Sequence, residues 1–270
     1  MPDFRLRGYV SPEDFTGTDT QKLQQALDTS ADLDIGRVVV KGDYKVDSTL
    51  WIRPMTDLVL EGGCIAAAGG FPVLANQNLR EGEKHSYSFE EKYFTIRGSG
   101  RLCGDVVLYN AQHVNIDGPE FHGALRFGFT REVRLFNSKF EGEHAVVLAM
   151  GANNFIMQNL TADCTGAAVV MDATREEDDY VISKEPEIHE IILQDSVFHT
   201  DAAAITMKAD EDSRIYNIQI DHIQSDGVAL AIGEIGAQVS GECYFNLTAE
   251  ELSGDIQVNN PVKHAYLPGY

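Results

Sequence analysis

From Val133 onward the chain repeats one short phrase four times. The copies are VRLFNSKFEG (133–142), FIMQNLTADC (155–164), IILQDSVFHT (191–200) and IQIDHIQSDG (218–227). Each is followed by a second apolar run: HAVVLAM, AAVVMDA, AAITMKA and ALAIGE. The fifth positions, Asn137, Asn159, Asp195 and His222, stand 22, 36 and 27 residues apart. A period near 22, lengthened twice by insertions, is the spacing of a β-solenoid coil. Each coil of such a fold buries its apolar side only by stacking on the next, so the repeat dictates one elongated all-β domain over residues 1–270.

Strand alternation then assigns the faces. In the first run of each coil the inward pairs are Val133/Leu135, Phe155/Met157, Ile191/Leu193 and Ile218/Ile220. Arg134, Gln158, Gln194, Gln219 and Asp221 face outward. In the second run Val146/Leu148, Val169/Met171, Ile205/Met207 and Leu230/Ile232 point inward. Val147, Val170, Thr206 and Ala231 point outward. The column Asn137–Asn159–Asp195 predicts a turn ladder, because short polar side chains tolerate tight conformations and bond neighbouring backbone.

A stack of coils needs its ends closed. Residues 18–34 predict a capping helix: Thr18 with Gln21 forms a capping-box pattern, and Leu23, Ala26 and Leu27 follow at helical spacing. Two charged segments that lose the β pattern, 75–93 and 173–189, are expected to be inserted surface loops of the kind that can cover a binding face. The segment 259–270, with Pro261 and Pro268, is expected to leave the sheet and cover the last coil.

Composition excludes several classes of function. The net charge of −21 repels nucleic acid and anionic membrane surfaces, and disfavours a polyanionic substrate unless Arg and Lys cluster locally. No stretch approaches the ~18 apolar residues of a membrane span. The N-terminus lacks an apolar signal core, which points to the cytoplasm. Cys64, Cys103, Cys164 and Cys243 have neither disulfide-like nor zinc-like spacing and are expected to be free thiols. The eight histidines form no metal-ligand pattern, the acidic turns no calcium repeat, and Gly98-Ser99-Gly100 no nucleotide loop; no metal or cofactor is therefore expected.

The segment TQKLQQALDTSADLDIGRVVVKGDYKVDSTLWIRPMTDLVLEGG (20–63) resembles the opening of pectin-lyase-like right-handed parallel β-helices. The polygalacturonase family is most similar: a capping helix, then a run of the type G-x-V-V-V-P-x-G-x-Y, then V-x-L-x-L-E-x-G. The resemblance extends through the coils, notably FTREVRLFNSKFEGEHAVVLAM, and implies a carbohydrate-active protein with an oligo- or polysaccharide partner. Polygalacturonases carry acids and a histidine in stretches of the type Asn-Thr-Asp, Gly-Asp-Asp-x-Ile-x-Ile-Lys and Gly-His-Gly-x-x-Ile-Gly. Hydrolysis needs one acid for the leaving oxygen and a base to activate water. Here the second stretch aligns with Asp201-Ala202-Ala203-Ala204-Ile205-Thr206-Met207-Lys208, so Ala202-Ala203 replace the acid pair while Lys208 remains. Val228 stands in the place of the histidine, and the first stretch falls near Thr165-Gly166-Ala167. Alanine and valine can neither donate nor accept a proton.

Two sets of residues remain to carry function. Asp201, Asp172 and Glu234 are candidate catalytic acids, and Lys208, His144 and Arg126 candidate substrate contacts, all on the margin of the second-strand face. Asp172, Lys208 and Glu234 occupy similar places at the ends of their runs, so stacking can bring them within reach. The same residues also fit a solvated rim of weak ion pairs. The second set is the small, uncharged strip Val147–Val170–Thr206–Ala231, flanked by Ala202 and Ala203. A strip of this kind is expected to be covered by the tail, by the 173–189 loop, or by another subunit in a homo-oligomer. Two functions follow: action on glycosidic bonds by a non-standard acid–base set, or glycan binding and assembly without catalysis.

Overall fold

The computed structural model describes residues 3–80, 91–174, 187–236, 239 and 242–268. Within them the chain winds into a right-handed parallel β-helix whose paired strands all run parallel. Each coil contributes one strand to each of three faces. The first face stacks Asp57–Leu60, Glu91–Gly98, Ala111–Asp117, Arg131–Phe136 and Asn153–Gln158 on one another, and continues through the start of Glu187–Thr200. The third stacks Val106–Tyr109, Leu125–Gly128, Val146–Ala149, Val169–Asp172 and Ile205–Lys208.

All eight inward pairs expected from alternation are buried, and they form one continuous core. Phe155 stands edge-on to Phe127, with centroids 5.2 Å apart, and Phe140 stacks on Phe121 at 5.1 Å. At one corner successive coils place Ala124, Ala145, Ala168, Ala204 and Ala229 in one buried column, where a larger side chain would meet its neighbour one strand spacing away.

The capping helix runs Asp19–Asp32, with Thr18 and Gln21 exchanging both capping-box hydrogen bonds. It buries Leu23, Ala26 and Leu27 on the first coil. Its polar side chains also finish that coil's unpaired edge. Asp19 accepts from the Lys45 N–H, Thr20 from the Asp47 N–H, and the Gln24 amide both donates to and accepts from Trp51 backbone. Side chains thus take the place of a missing strand and block edge pairing.

Three expectations about the ends and insertions change. The 75–93 segment is ordered at both flanks, with strand Leu74–Asn76, helix Gln77–Arg80 and strand Glu91–Gly98. Similarly, the strand Glu187–Thr200 already begins within 173–189. The remaining centres of these expected loops, 81–90 and 175–186, lie outside the described residues. The tail does not leave the sheet: Lys263–Tyr266 pairs in register with Phe245–Thr248, because pairing resumes once Pro261, which has no N–H, is passed.

Asp57 joins three coils, accepting from Arg37 (2.8 Å) and twice from Arg97 (2.8 and 3.0 Å). Burial, the largest single influence, pushes its carboxyl up, but the hydrogen bonds and charges of Arg97 and Arg37 together hold it below the usual carboxylate range. The unfolded chain therefore binds this proton more tightly, at a value of about 3.9. The stabilisation is complete above that value and is lost as pH falls through the lower native one. Asp57→Asn should cost about 1–3 kcal/mol near neutrality. Urea unfolding at a series of pH values should show the gap to wild type closing in acid.

Candidate functional site

The third face carries a cleft of about 270 Å³ lined by Tyr109, Arg126, Phe129, His144, Val147, Val170 and Asp172, among others. Parallel register builds it: Arg126, Val147 and Val170 are consecutive members of one outward column, and Asp172 ends the strand that carries Val170. Strand alternation turns Val147 and Val170 outward, so they form an apolar floor, and both are half-buried.

The polar groups are held in place from outside the cleft. Asp105 accepts from the Ala124 N–H (2.9 Å) and from Arg126 Nε (2.6 Å), which fixes the guanidinium. His144 Nδ1 lies 2.8 Å from the Ala167 carbonyl, and a carbonyl only accepts, so Nδ1 carries the proton. In the neutral ring Nε2 is then an acceptor, with Glu143 at 3.7 Å. Gly166 makes room for the ring: a Cβ there would come within 2.8 Å of His144 Cε1. Asp172 Oδ1 accepts from the backbone N–H (3.0 Å) and hydroxyl (2.5 Å) of Thr174.

Beyond the cleft the stacked column expected from the sequence is present. Lys208 Nζ lies 3.9 Å from Asp172 and 3.3 Å from Glu234. The charge of Asp172 and then the hydrogen bond to Glu234 hold the ammonium above its ordinary pKa, so Lys208 stays protonated at neutral pH. Asp201 departs from the expected grouping. It is exposed, its N–H donates to the Cys164 carbonyl (3.4 Å), and it precedes the strand Ile205–Lys208 that Lys208 ends. At ~3.3 Å per residue that strand separates it from Lys208 by roughly 10 Å.

Sequence reading missed Asp105, Tyr109 and Phe129. All three belong to coils before the strong repeats, although the run VVLYN (106–110) carries the same apolar alternation. The strip Val147–Val170–Thr206–Ala231 is half-buried among the described residues. The four cysteines are free; Cys64 and Cys103 Sγ lie 3.7 Å apart, and burial, then the contact with Cys64, push the Cys103 thiol up to about 11. Among the described residues no helix is long and apolar enough to cross a membrane.

No family model matches the chain, and no curated protein matches it. Solved structures do. A Family 28 exopolygalacturonase of Yersinia enterocolitica superposes with a TM-score of 0.54 and 12% identity, covering 97% of this chain and 78% of that one. An endo-xylogalacturonan hydrolase of Aspergillus tubingensis gives 0.54 and 11%, covering 96% and 93%. The chain has the pectin-lyase-like β-helix fold. At these identities the likeness speaks for the fold of the β-helix, and the chemistry has to be argued from its own cleft.

Proposed function

We propose that this β-helix is a carbohydrate-binding protein that holds an oligosaccharide in the Arg126–His144–Asp172 cleft and lacks polygalacturonase chemistry. The carrying observation is the pairing of an apolar floor, Val147 and Val170 beside Tyr109 and Phe129, with polar groups fixed from behind. A sugar ring offers the complementary arrangement, with C–H faces toward the floor and hydroxyls toward the rim. The printed names of the two similar structures, both enzymes of galacturonans, favour a glycan over other ligands. Ala202, Ala203 and Val228 argue against the family's usual hydrolysis, and Lys208, kept protonated, is not available as a lyase base.

Arg126→Ala and His144→Ala should each weaken oligosaccharide binding about tenfold or more, the loss of one or two hydrogen bonds. Titration calorimetry against neutral and uronic oligosaccharides measures this, with thermal melts to show that both variants fold. Unchanged affinity in both variants, or no binding by the wild type, excludes the reading.

A second reading, hydrolysis, is favoured by one distance. Both carboxylates reach the same ammonium, so the nearest oxygens of Asp172 and Glu234 lie no more than about 7 Å apart, close enough for two acids to flank one glycosidic bond. Turnover of an oligosaccharide that disappears in Asp172→Asn or Glu234→Gln, and survives in Asp201→Asn, would establish it. The strip Thr206–Ala231 beyond the cleft would be the contact of a lateral homo-oligomer. A single monomer mass across a wide concentration range in light scattering excludes that arrangement.

A further inference from the structure

We infer that the cleft selects neutral glycans and rejects uronates, an inference that rests on the glycan-binding reading above. A uronate carries one negative charge per residue and needs a cation free to receive it. Among the described residues, the permanent cations in the cleft and on its margin, Arg126 and Lys208, are both paired with carboxylates. Arg126 Nε is bonded to Asp105 at 2.6 Å, and Lys208 sits between Asp172 at 3.9 Å and Glu234 at 3.3 Å. Glu143, 3.7 Å from His144, adds a fourth carboxylate to those three. Among the described residues at the cleft and on its margin, two cations therefore stand with four acids, on a chain whose net charge is −21. An incoming carboxylate that reached the remaining N–H groups of Arg126, or Lys208, would lie within a few ångströms of carboxylates already paired there and would meet their charge.

A hydroxyl meets none of these obstacles. It can donate to His144 Nε2 or to the second oxygen of Asp172, both acceptors aimed from fixed frames. It can also accept from the terminal NH₂ groups of Arg126 while Nε stays with Asp105, because a guanidinium has five N–H donors. Hydroxyl recognition leaves every ion pair of the site intact, and that is the physical basis of the selection. It also sets this chain apart from the galacturonan enzymes that share its fold, so substrate charge is where they diverge.

Calorimetry with the full chain tests this, using cello-, xylo-, manno- and galactohexaose beside hexagalacturonate, at about 20 and about 200 mM NaCl, where screening differs several-fold in range. The expected result is a neutral hexaose that binds about tenfold or more tighter than hexagalacturonate, with an affinity that salt leaves unchanged. The Asp105→Asn, Glu234→Gln double variant should gain at least about tenfold for hexagalacturonate at low salt, because it removes two of the four carboxylates, leaving Arg126 without its carboxylate partner and Lys208 with Asp172 alone. Hexagalacturonate binding tighter than every neutral hexaose, and weakening with salt, overturns the inference and leaves the glycan reading standing. A double variant with no gain for the uronate also counts against the inference. Binding of none of the five probes overturns both.

Discussion

Replacing Phe155 by alanine should cost the β-helix about 3–5 kcal/mol, a large part of the stability of any domain this size. Phe155 is 1% exposed and lies in the middle coils, one strand above Val133 and one below Ile191. Its ring meets Phe127 edge-on, so truncation removes both the transfer energy of the ring and an aromatic contact. The cavity has few ways to close, because every coil is pinned by parallel hydrogen bonds to the coils above and below. Urea unfolding followed by circular dichroism measures the loss. Ile156→Ala, next along the same strand but pointing outward, should cost well under half as much. Equal losses for the two would mean that the inside and outside of the coil are not distinguished as the burial pattern indicates.

That inside–outside pattern was the legible part of the sequence. A side-chain period of two leaves each strand only two settings, and runs such as FIMQ or VVMD make one of them untenable. The capping helix was legible for a similar reason, since Thr18 and Gln21 bond each other within one turn. The cleft was less legible because it depends on which polar groups find each other across coils. Asp172, Lys208 and Glu234 could be aligned by register alone. The sequence could not show that Asp201 stands apart from the Lys208 column, in the turn before its strand, and Asp105 became visible only through its bond to Arg126. Charge pairing was equally hidden at Arg126 and Lys208. The sequence offers them as substrate contacts, whereas in place each is paired with carboxylates.

The fifth-position column carries the other large expected effect. It is a corner at which five successive coils adopt the left-handed conformation: φ is 52° at Asn137, 55° at Asn159, 51° at Asp195, 51° at His222 and 47° at Glu251. Asn159 Nδ2 donates to Asn137 Oδ1 at 2.7 Å and Asn137 donates to Asp117, while Asp195 accepts from Gln158 and not from Asn159, so the expected ladder holds between Asn137 and Asn159 and passes to a neighbouring position at Asp195. Toward the N-terminus the same column continues as Gly118 and Gly98, where φ opens to 94° and 110°. Those values lie beyond the left-handed well that asparagine tolerates, so only glycine fits without strain. Space forbids a side chain as well: a Cβ on Gly98 would sit 2.3 Å from the Leu60 carbonyl oxygen, which belongs to backbone and cannot swing aside. Gly98→Val should therefore cost more than about 3 kcal/mol, from backbone strain and the forced separation of two coils, and should lower soluble yield. Gly62→Asn is the control, since φ is 78° there and a Cβ would meet nothing within 4 Å. Thermal melts that place Gly98→Val within a degree or two of wild type would show that the coils can part at this corner, and the ladder would then be a consequence of stacking and not one of its determinants.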